Sequence, residues 1–363
     1  MNPHACGLSG QCGRCAAPNG GLIRALGRPC GANMNPHARR CRVCVALLFT
    51  IGCLSATAQK PSHLSDAESA PPSRWTVDAA RLDEQIRLRL LSADDPRSHW
   101  IAGQFDSTDI ASKVKHYAAA RTSAPQENLY LASLAMACLQ PVQPTLPECD
   151  AVDRLADWAT RDLDNGLPTM LLAARASKRG DNDATIAYLE LAATKPRFDE
   201  YSSHGWLEYW QYVMAFPVDI DRAAKTELAA GYGAAQALPA LALVPGPCQA
   251  PPGIAETRRA ACAKAGGAMA ERSLAAVPRA IGAGIAERNA ADERTAQRVR
   301  ANRVALQALL ARCGDDDRAM ITRLESPDAA IRAGTADAWD RIVREKARTG
   351  EIAECERRLS ASR

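Results

Sequence analysis

Apolar residues recur at spacings of three and four along most of the chain after residue 75, which is the spacing of one helix face. Stretches in which Val, Ile and Thr alternate with polar residues, as they do in half-buried strands, hardly occur. Alanine is abundant and aromatic residues make up only 5% of the chain, as is typical of closely packed helices. The pattern therefore predicts an all-α fold.

Turn-forming residues divide this pattern into elements. Between residues 75 and 121 we expect two or three helices, with breaks and caps at 94–96 and 107–109. After the Pro-Gly-Pro sequence at 245–247 the predicted helices become longer and more highly charged, and they cover roughly 254–274, 290–312 and 326–348. The change predicts two helical parts, residues 75–244 and residues 248–363.

Residues 165–198 predict two helices that are separated by a Gly-Asp turn, and a proline ends the second helix. The large, small and packing positions of the two helices are Leu172, Ala173, Ala176, Ile186, Leu189 and Ala192. This arrangement resembles a tetratricopeptide repeat, a unit of two packed helices. The pattern departs from the family at Thr169, where Trp is usual, at Thr185, where Ala is usual, and at Pro196, which comes one residue early.

A second unit precedes this one in the chain. Residues 150–159 align with residues 183–192 at a spacing of 33, and both place alanine at the helix crossing point. The first helix of this unit, 129–137, aligns at a spacing of 40, so its loop at 138–149 is seven residues longer. The resemblance covers about residues 127–198, and it implies stacked helix pairs whose groove binds a protein or peptide. Because about three repeats are usually needed for stability, the flanking helices are expected to act as caps.

Residues 34–58 have the three parts of an export signal. Residues 34–42 are basic, residues 43–54 are uncharged and apolar, and small residues follow up to Ala58, after which cleavage is predicted. The apolar run of about a dozen residues is shorter than the roughly 20 residues that span a bilayer. The working chain is expected to begin near Gln59 and to be periplasmic or secreted.

The segments on either side of the signal carry separate predictions. Residues 1–33 begin with MNPHA, which recurs from Met34 onward, so they are predicted to be a mis-assigned extension ahead of the true start. Residues 59–74 are rich in Ser, Pro and acidic residues and predict a disordered tether. Cys53 ends a sequence that resembles a lipobox, so the alternative product is a lipoprotein. Contact with a membrane is expected only if Cys53 is lipidated.

The charge of the chain depends on the leader. Removing residues 1–58 takes away six of the 45 basic residues and none of the 41 acidic residues, which leaves 39 basic and 41 acidic residues. A faintly acidic chain of this kind does not support a basic patch that would release counterions from nucleic acid. Nucleic acid is therefore not predicted as a partner.

Six of the 13 cysteines remain after the leader, and an even number outside the cytoplasm favours disulfides. Six cysteines allow 15 pairings, and their order in the chain favours bonds between neighbours. A disulfide that closes a loop of about fifteen residues stabilises the fold by about 3 kcal/mol. The predicted pairs are Cys138 with Cys149, Cys248 with Cys262, and Cys313 with Cys355. The Cys12 and Cys15 motif of the leader lacks the second half of a zinc site, so no metal or cofactor is predicted.

The one dense aromatic run lies at residues 204–216. At helical spacing Trp206, Tyr209 and Trp210 share one face, which would usually pack in a core. The functional alternative is a platform that, together with His204, binds peptides or sugars through aromatic faces and polar tips. Both interpretations stay open from the sequence.

The chain contains no GxSxG, no HExxH and no Gly-rich phosphate loop, and an SxxK sequence at 112–115 is interpreted as part of a solvated helix face. We therefore expect an exported, non-enzymatic helical-repeat protein that binds a protein or peptide partner in the cell envelope. One alternative is an envelope hydrolase whose site is assembled from scattered residues such as His204, Glu208 and Asp199. The other is a structural envelope component, because a fold alone does not determine function.

Overall fold

Helices form the regular secondary structure in every part of the chain that the structure describes. The computed structural model describes residues 74–90, 92–105, 109–140, 146–150, 153–235, 239–249 and 255–361. Within these ranges there are 15 α-helices and no strand, only two isolated bridges, so the predicted all-α class is confirmed. The predicted extension, the export signal with Cys53, and the tether up to residue 73 lie outside the described residues.

The first ten helices precede a short irregular region that contains two 3-10 helices, Pro239–Leu243 and Gly246–Cys248. These ten helices are α1 (Arg74–Leu90), α2 (Pro96–Phe105), α3 (Ile110–Ser123), α4 (Asn128–Cys138), α5 (Pro147–Asp150), α6 (Arg154–Arg161), α7 (Gly166–Lys178), α8 (Asn182–Thr194), α9 (Ser202–Ala215) and α10 (Arg222–Ala235). The remaining five are α11 (Glu256–Arg272), α12 (Ala276–Arg288), α13 (Glu293–Leu324), α14 (Ala329–Thr349) and α15 (Glu351–Ala361). None of the described helices combines the length and apolar character that a membrane span requires.

Aspartate side chains begin many of these helices by accepting backbone N–H groups that have no partner inside the helix. Asp95 accepts from the Ser98 N–H at 3.0 Å, and Asp109 accepts from the Ala111 N–H at 3.0 Å. Asp181 accepts in the same way from the Ala184 N–H at 3.0 Å. The predicted breaks before α2 and α3 and the Gly-Asp turn before α8 are therefore present.

The helices pack as consecutive pairs over much of the chain. The pairs are α2 with α3, α4 with α6, α7 with α8, and α11 with α12. Each pair contacts the next through α3 on α4, α6 on α7, and α8 on α11. The two predicted repeat units correspond to the α4–α6 and α7–α8 pairs, and the α8–α11 contact crosses the predicted boundary near residue 247.

The α9–α10 pair leaves this succession and packs elsewhere. It contacts α14, and α10 also contacts α1 and α13. Trp210 Nε1 donates to Asp340 Oδ1 at 2.9 Å, and Arg222 pairs with Asp337 at 2.6 Å. These contacts join the part of the fold before the 3-10 helices to the part after them, and all described helices belong to one compact unit.

Two glycines allow α11 and α12 to approach at backbone distance. A Cβ atom at Gly266 would lie 2.7 Å from the Ala286 nitrogen, and one at Gly282 would lie 2.5 Å from the Ala270 nitrogen. Distances below 3.0 Å are not tolerated between such atoms. The α11–α12 pair therefore depends on the absence of side chains at these two positions.

The part of the chain after residue 255 differs from the helix bounds expected from sequence. The helix α12 was not predicted from the sequence. Its Pro278 lies in the first turn, where a missing N–H is harmless. The helix α13 continues past 312 as far as Leu324. The helix α15 was not predicted either, and it follows Gly350 at φ 92°.

All six cysteines in the described ranges are paired as the sequence predicts. Cα–Cα distances are 5.5 Å for Cys138–Cys149, 5.7 Å for Cys248–Cys262 and 6.0 Å for Cys313–Cys355, all within the range that a disulfide spans. The first closes the long loop between α4 and α6. The second ties the 3-10 region to α11, and the third ties α13 to α15.

Candidate functional site

The aromatic face of α9 is buried between helices. Trp206 is 8% exposed, and Tyr209 and Trp210 are 1% and 0% exposed. Trp206 Nε1 donates to the Ala229 carbonyl oxygen at 2.8 Å, and the ring of Tyr209 stacks on that of Tyr232 with centroids 3.9 Å apart. These side chains pack α9 on its neighbours, so their faces are not presented to solvent.

The scattered residues of the hydrolase hypothesis lie on and just before α9. Glu208 pairs with Arg97 of α2 at 2.5 Å, and the Asp199 carboxylate pairs with Arg197 at 3.1 Å. His204 is half-buried against the ring of Tyr201, and its Nδ1 is buried without a hydrogen-bond partner among the described residues. Both carboxylates are thus already engaged by arginines in this structure.

The segment 197–201, which connects α8 to α9, lies between two other parts of the backbone. On one side the Gly166 N–H donates to the Arg197 carbonyl oxygen at 2.8 Å. On the other side the Phe198 N–H donates to the Arg272 carbonyl oxygen at 3.2 Å. The start of α7 and the end of α11 therefore hold this segment in place.

A buried polar network reinforces the same segment. Asp162 accepts from Tyr201 Oη at 2.7 Å, from Arg197 Nη2 at 2.5 Å and from Asn165 Nδ2 at 2.9 Å. Asn165 also exchanges two hydrogen bonds with the backbone of Asp199, at 2.7 and 3.0 Å. Because buried polar groups are costly unless they are paired, this network specifies one conformation of the segment.

Tyr201 has left-handed backbone geometry, with φ 64° and ψ 18°. Among the described residues it is the one non-glycine with positive φ, a conformation that costs on the order of 1 kcal/mol or more. The Asp199 carboxylate holds it there by accepting the Tyr201 N–H at 2.8 Å. The turn begins α9 immediately after Glu200.

Glu200 lines a cavity of about 60 Å³, which we call the Glu200 cavity. Trp100 of α2, Tyr117 of α3, and Met136 of α4 form part of its apolar wall. Ser202 Oγ donates to Glu200 Oε1 at 2.6 Å, whereas Oε2 is buried and has no hydrogen-bond partner among the described residues.

The carboxyl group of Glu200 is almost completely removed from solvent, at 2% exposed. Burial raises its pKa to about 8, and the nearby negative charge of Asp199 adds to the effect. The hydrogen bond from Ser202 lowers the pKa, but it does not offset burial. Glu200 therefore carries its proton over much of the neutral range.

A second depression lies between α13, α14 and α15, with a volume of about 640 Å³. We call it the arginine groove. Its apolar surface includes Met320, Ile331 and Ile342, and Ile331 is 46% exposed. The charged residues of its lining are Arg323, Arg341, Arg357, Arg358 and Asp316.

The arginines of the groove differ in how they are paired. Arg358 binds Asp317 at 2.5 Å and Asp316 at 2.9 Å. By contrast, Arg323 and Arg341 are exposed and form no ion pair with any residue in the described ranges. With four arginines against one aspartate, the lining carries three more positive than negative formal charges.

Sequence reasoning did not select either the Glu200 cavity or the arginine groove. Glu200 follows Asp199 directly, and two adjacent carboxylates after Pro196 were the available local signal. The groove has no local signal, because Arg323, Arg341 and Arg357 come from three different helices. The predicted site residues His204, Trp206, Tyr209 and Trp210 all lie on α9, which borders the Glu200 cavity through Ser202 and Gly205.

Within the described ranges, no group of three or more His, Cys, Asp or Glu side chains is placed to hold a metal ion. Comparisons with protein-family models, with curated proteins and with solved structures find no match to this chain.

Proposed function

We propose that this chain is an exported, non-enzymatic helical-repeat protein that binds an acidic segment of a protein or peptide partner in the cell envelope. The arginine groove is the proposed binding surface. The observation that carries the proposal is the combination of an apolar floor with two exposed arginines, Arg323 and Arg341, that have no ion-pair partner in the described ranges.

Three disulfides support the export part of the proposal, because disulfides persist in oxidising compartments and are rare in the cytosol. The export signal predicted at residues 34–58 is consistent with this. Lipid attachment at Cys53 is the proposed alternative to release at Ala58.

The packed helix pairs α4–α6 and α7–α8 support the resemblance to tetratricopeptide repeats. In such arrays neighbouring units bury one another, and exposed surfaces are left for partners. Because the aromatic face of α9 is buried, we assign partner binding to the arginine groove and not to that face. The aromatic rings then serve to dock α9.

Electrostatic and apolar features of the groove favour the same kind of occupant. An amphipathic segment could place apolar side chains on Ile331 and Met320 and its carboxylates on Arg323 and Arg341. Arginine binds carboxylates through two parallel hydrogen bonds, which makes it a selective partner for acidic side chains. A basic segment would be repelled from the same lining.

A binding assay tests the proposal directly. We expect a fluorescent amphipathic peptide with glutamates on its polar face to bind the disulfide-bonded chain, and its charge-reversed lysine version to bind at least about tenfold more weakly. The double variant Arg323→Ala/Arg341→Ala should weaken binding of the glutamate peptide by at least about tenfold. Arg312→Ala is the matched control, because Arg312 is exposed on α13 outside the groove lining.

Site-specific crosslinking extends the test to the natural partner. A photoreactive residue at Ile331 should crosslink to an envelope protein, and the Arg323→Ala/Arg341→Ala background should abolish the product. The same residue at Val304, 56% exposed on α13 and outside the groove, is the control. Equal binding of the two peptides, or identical crosslinks from both positions, would contradict the proposal.

A further inference from the structure

We infer that the Glu200 cavity is a second binding site, which takes a primary ammonium group from a small molecule. This site goes beyond the proposed peptide-binding function, because it shares no lining residue with the arginine groove. The Glu200 carboxylate would accept hydrogen bonds from the ammonium group, and the aromatic rings of the wall would contact the carbon atoms next to it.

Hydrogen-bond accounting within the cavity indicates a ligand that donates. Trp100 Nε1 already donates to Ser133 Oγ at 2.9 Å, and Ser202 Oγ donates to Glu200 Oε1. Glu200 Oε2 is left without a partner among the described residues, and water cannot replace the partner because Glu200 is only 2% exposed. A buried carboxyl oxygen without a partner is expensive, so a ligand that satisfies it gains correspondingly.

Charges around Glu200 decide between a cation and an anion. Asp199 on the same segment and Glu351 at the start of α15 both raise the pKa of Glu200, so the local field is negative. On α9 itself His204 lies near Asp199, and α2 and α4 contribute no charged side chain to the lining. An anion would be repelled here, whereas an ammonium group would be attracted.

Lys113 of α3 is the one cation in the lining, and it is not among the groups that affect the pKa of Glu200 most strongly. An amino acid would place its ammonium group on Glu200 and its carboxylate on Lys113. A simple alkylamine would use Glu200 alone.

Aromatic walls strengthen such a site. Trp100 and Tyr117 are 2% and 3% exposed, so their rings are held rigidly by the core. Aromatic faces attract cations, and the attraction increases where water is removed. Binding would release the Glu200 proton to solvent, because the ammonium group stabilises the ionised carboxylate.

The test is a titration of the full-length, disulfide-bonded chain with propylammonium, followed by nuclear magnetic resonance of the tryptophan indole N–H groups. We expect a saturable shift of the Trp100 signal and none of the Trp158 signal, which lies in the Asp162 network. At pH values below the pKa of Glu200, the affinity should increase about tenfold for each unit by which the pH is raised, because binding releases one proton. A parallel titration with glycine distinguishes two kinds of natural ligand. Tighter binding of glycine indicates an amino acid, and tighter binding of propylammonium indicates a simple amine.

Variants make the result decisive. Glu200→Gln should weaken propylammonium binding at least about tenfold, and Met136→Phe, which enlarges a side chain of the cavity wall on α4, should weaken it too. Arg341→Ala should leave it unchanged, so failure of this site and failure of the arginine groove are distinguishable. Absence of a saturable Trp100 shift, or propanol binding as tightly as propylammonium, would overturn the inference.

Discussion

The Glu200 cavity and the arginine groove each sit beside a buried glutamate, but the two glutamates are compensated differently. Glu354, beneath the groove, is 0% exposed and lies 3.4 Å from Arg358 and 3.5 Å from Arg357. Glu200 is 2% exposed and has a hydroxyl donor, Ser202, but no cation among its hydrogen-bond partners in the described ranges.

The two regions also differ in the charges that surround the buried glutamate. Burial raises the pKa of both carboxyl groups, but for Glu354 the positive charges of Arg358, Lys346 and Arg357 oppose the increase. Removing a buried charge from water costs several kcal/mol, and a nearby opposite charge restores part of that. Each glutamate has an Oε2 atom that is buried without a hydrogen-bond partner among the described residues, so the two regions differ in charge: cations offset Glu354, whereas Asp199 and Glu351 add negative charge around Glu200.

The largest expected effect comes from opening the disulfide that holds the groove together. Replacing Cys313 and Cys355 with serine should lower the free energy of unfolding by about 4 kcal/mol, because the bond closes a sequence separation of 42 residues. Urea denaturation monitored by circular dichroism measures this change. The pair Cys138→Ser/Cys149→Ser, with a separation of 11, is the matched comparison and should lose about 3 kcal/mol.

An equal or smaller loss for the Cys313/Cys355 variant would show that loop closure does not govern the stability of this region. The same variant should also lose binding of the glutamate peptide, because α13 and α15 each contribute arginines to the groove. Its Trp100 signal should still respond to propylammonium.

A smaller effect, which depends on pH, is expected at Glu200. Its pKa is about 8 when folded and near its ordinary value of 4.5 when unfolded, so the folded chain binds more protons between those values. Stability from this group is therefore fully present below about pH 4.5 and is lost as the pH rises through about 8. Glu200→Gln should remove this loss and be on the order of 3 kcal/mol more stable than the natural chain at pH 7.

Urea denaturation at several pH values measures the difference in the free energy of unfolding between the variant and the natural chain. The contributions of other titrating groups cancel in this difference. Glu190→Gln is the control, because Glu190 is exposed on α8. A constant difference from pH 5 to pH 9 would contradict the raised pKa of Glu200.

The smallest stability effect is expected at the groove surface. Arg323→Ala/Arg341→Ala should change the free energy of unfolding by no more than about 0.5 kcal/mol, because both side chains are exposed and without ion pairs in the described ranges. Thermal denaturation with circular dichroism detects a larger change. A loss of several kcal/mol would show that these arginines stabilise the fold, and would weaken their assignment to partner binding.

Local sequence features predict much of the fold because their causes are local. Asp95, Asp109 and Asp181 begin helices through bonds to residues two or three positions away. The spacing of apolar residues predicts the α7 and α8 helices, and chain order was enough to predict the cysteine pairs. The helix α12 was not predicted, and its close contact with α11 outweighs the low helix propensity of Pro278 and Gly282.

The candidate sites depend on contacts between distant parts of the chain. Glu200 is buried because the start of α7 and the end of α11 hold segment 197–201 from both sides. The aromatic face of α9 was predicted correctly as a shared face, but no local pattern could show that α14 covers part of it. The arginine groove likewise exists only where α13, α14 and α15 meet.

By itself the sequence determined the all-α class, the helix pairs at 127–198 and the cysteine pairs, since helix propensity, capping and loop closure act over short separations. Only the tertiary structure decided that Trp206 and Trp210 are buried, that Glu200 lines a cavity and that Arg323 and Arg341 share a groove. Burial and the local electric field are set by residues far apart in the chain, and both determine whether a side chain packs, titrates or binds.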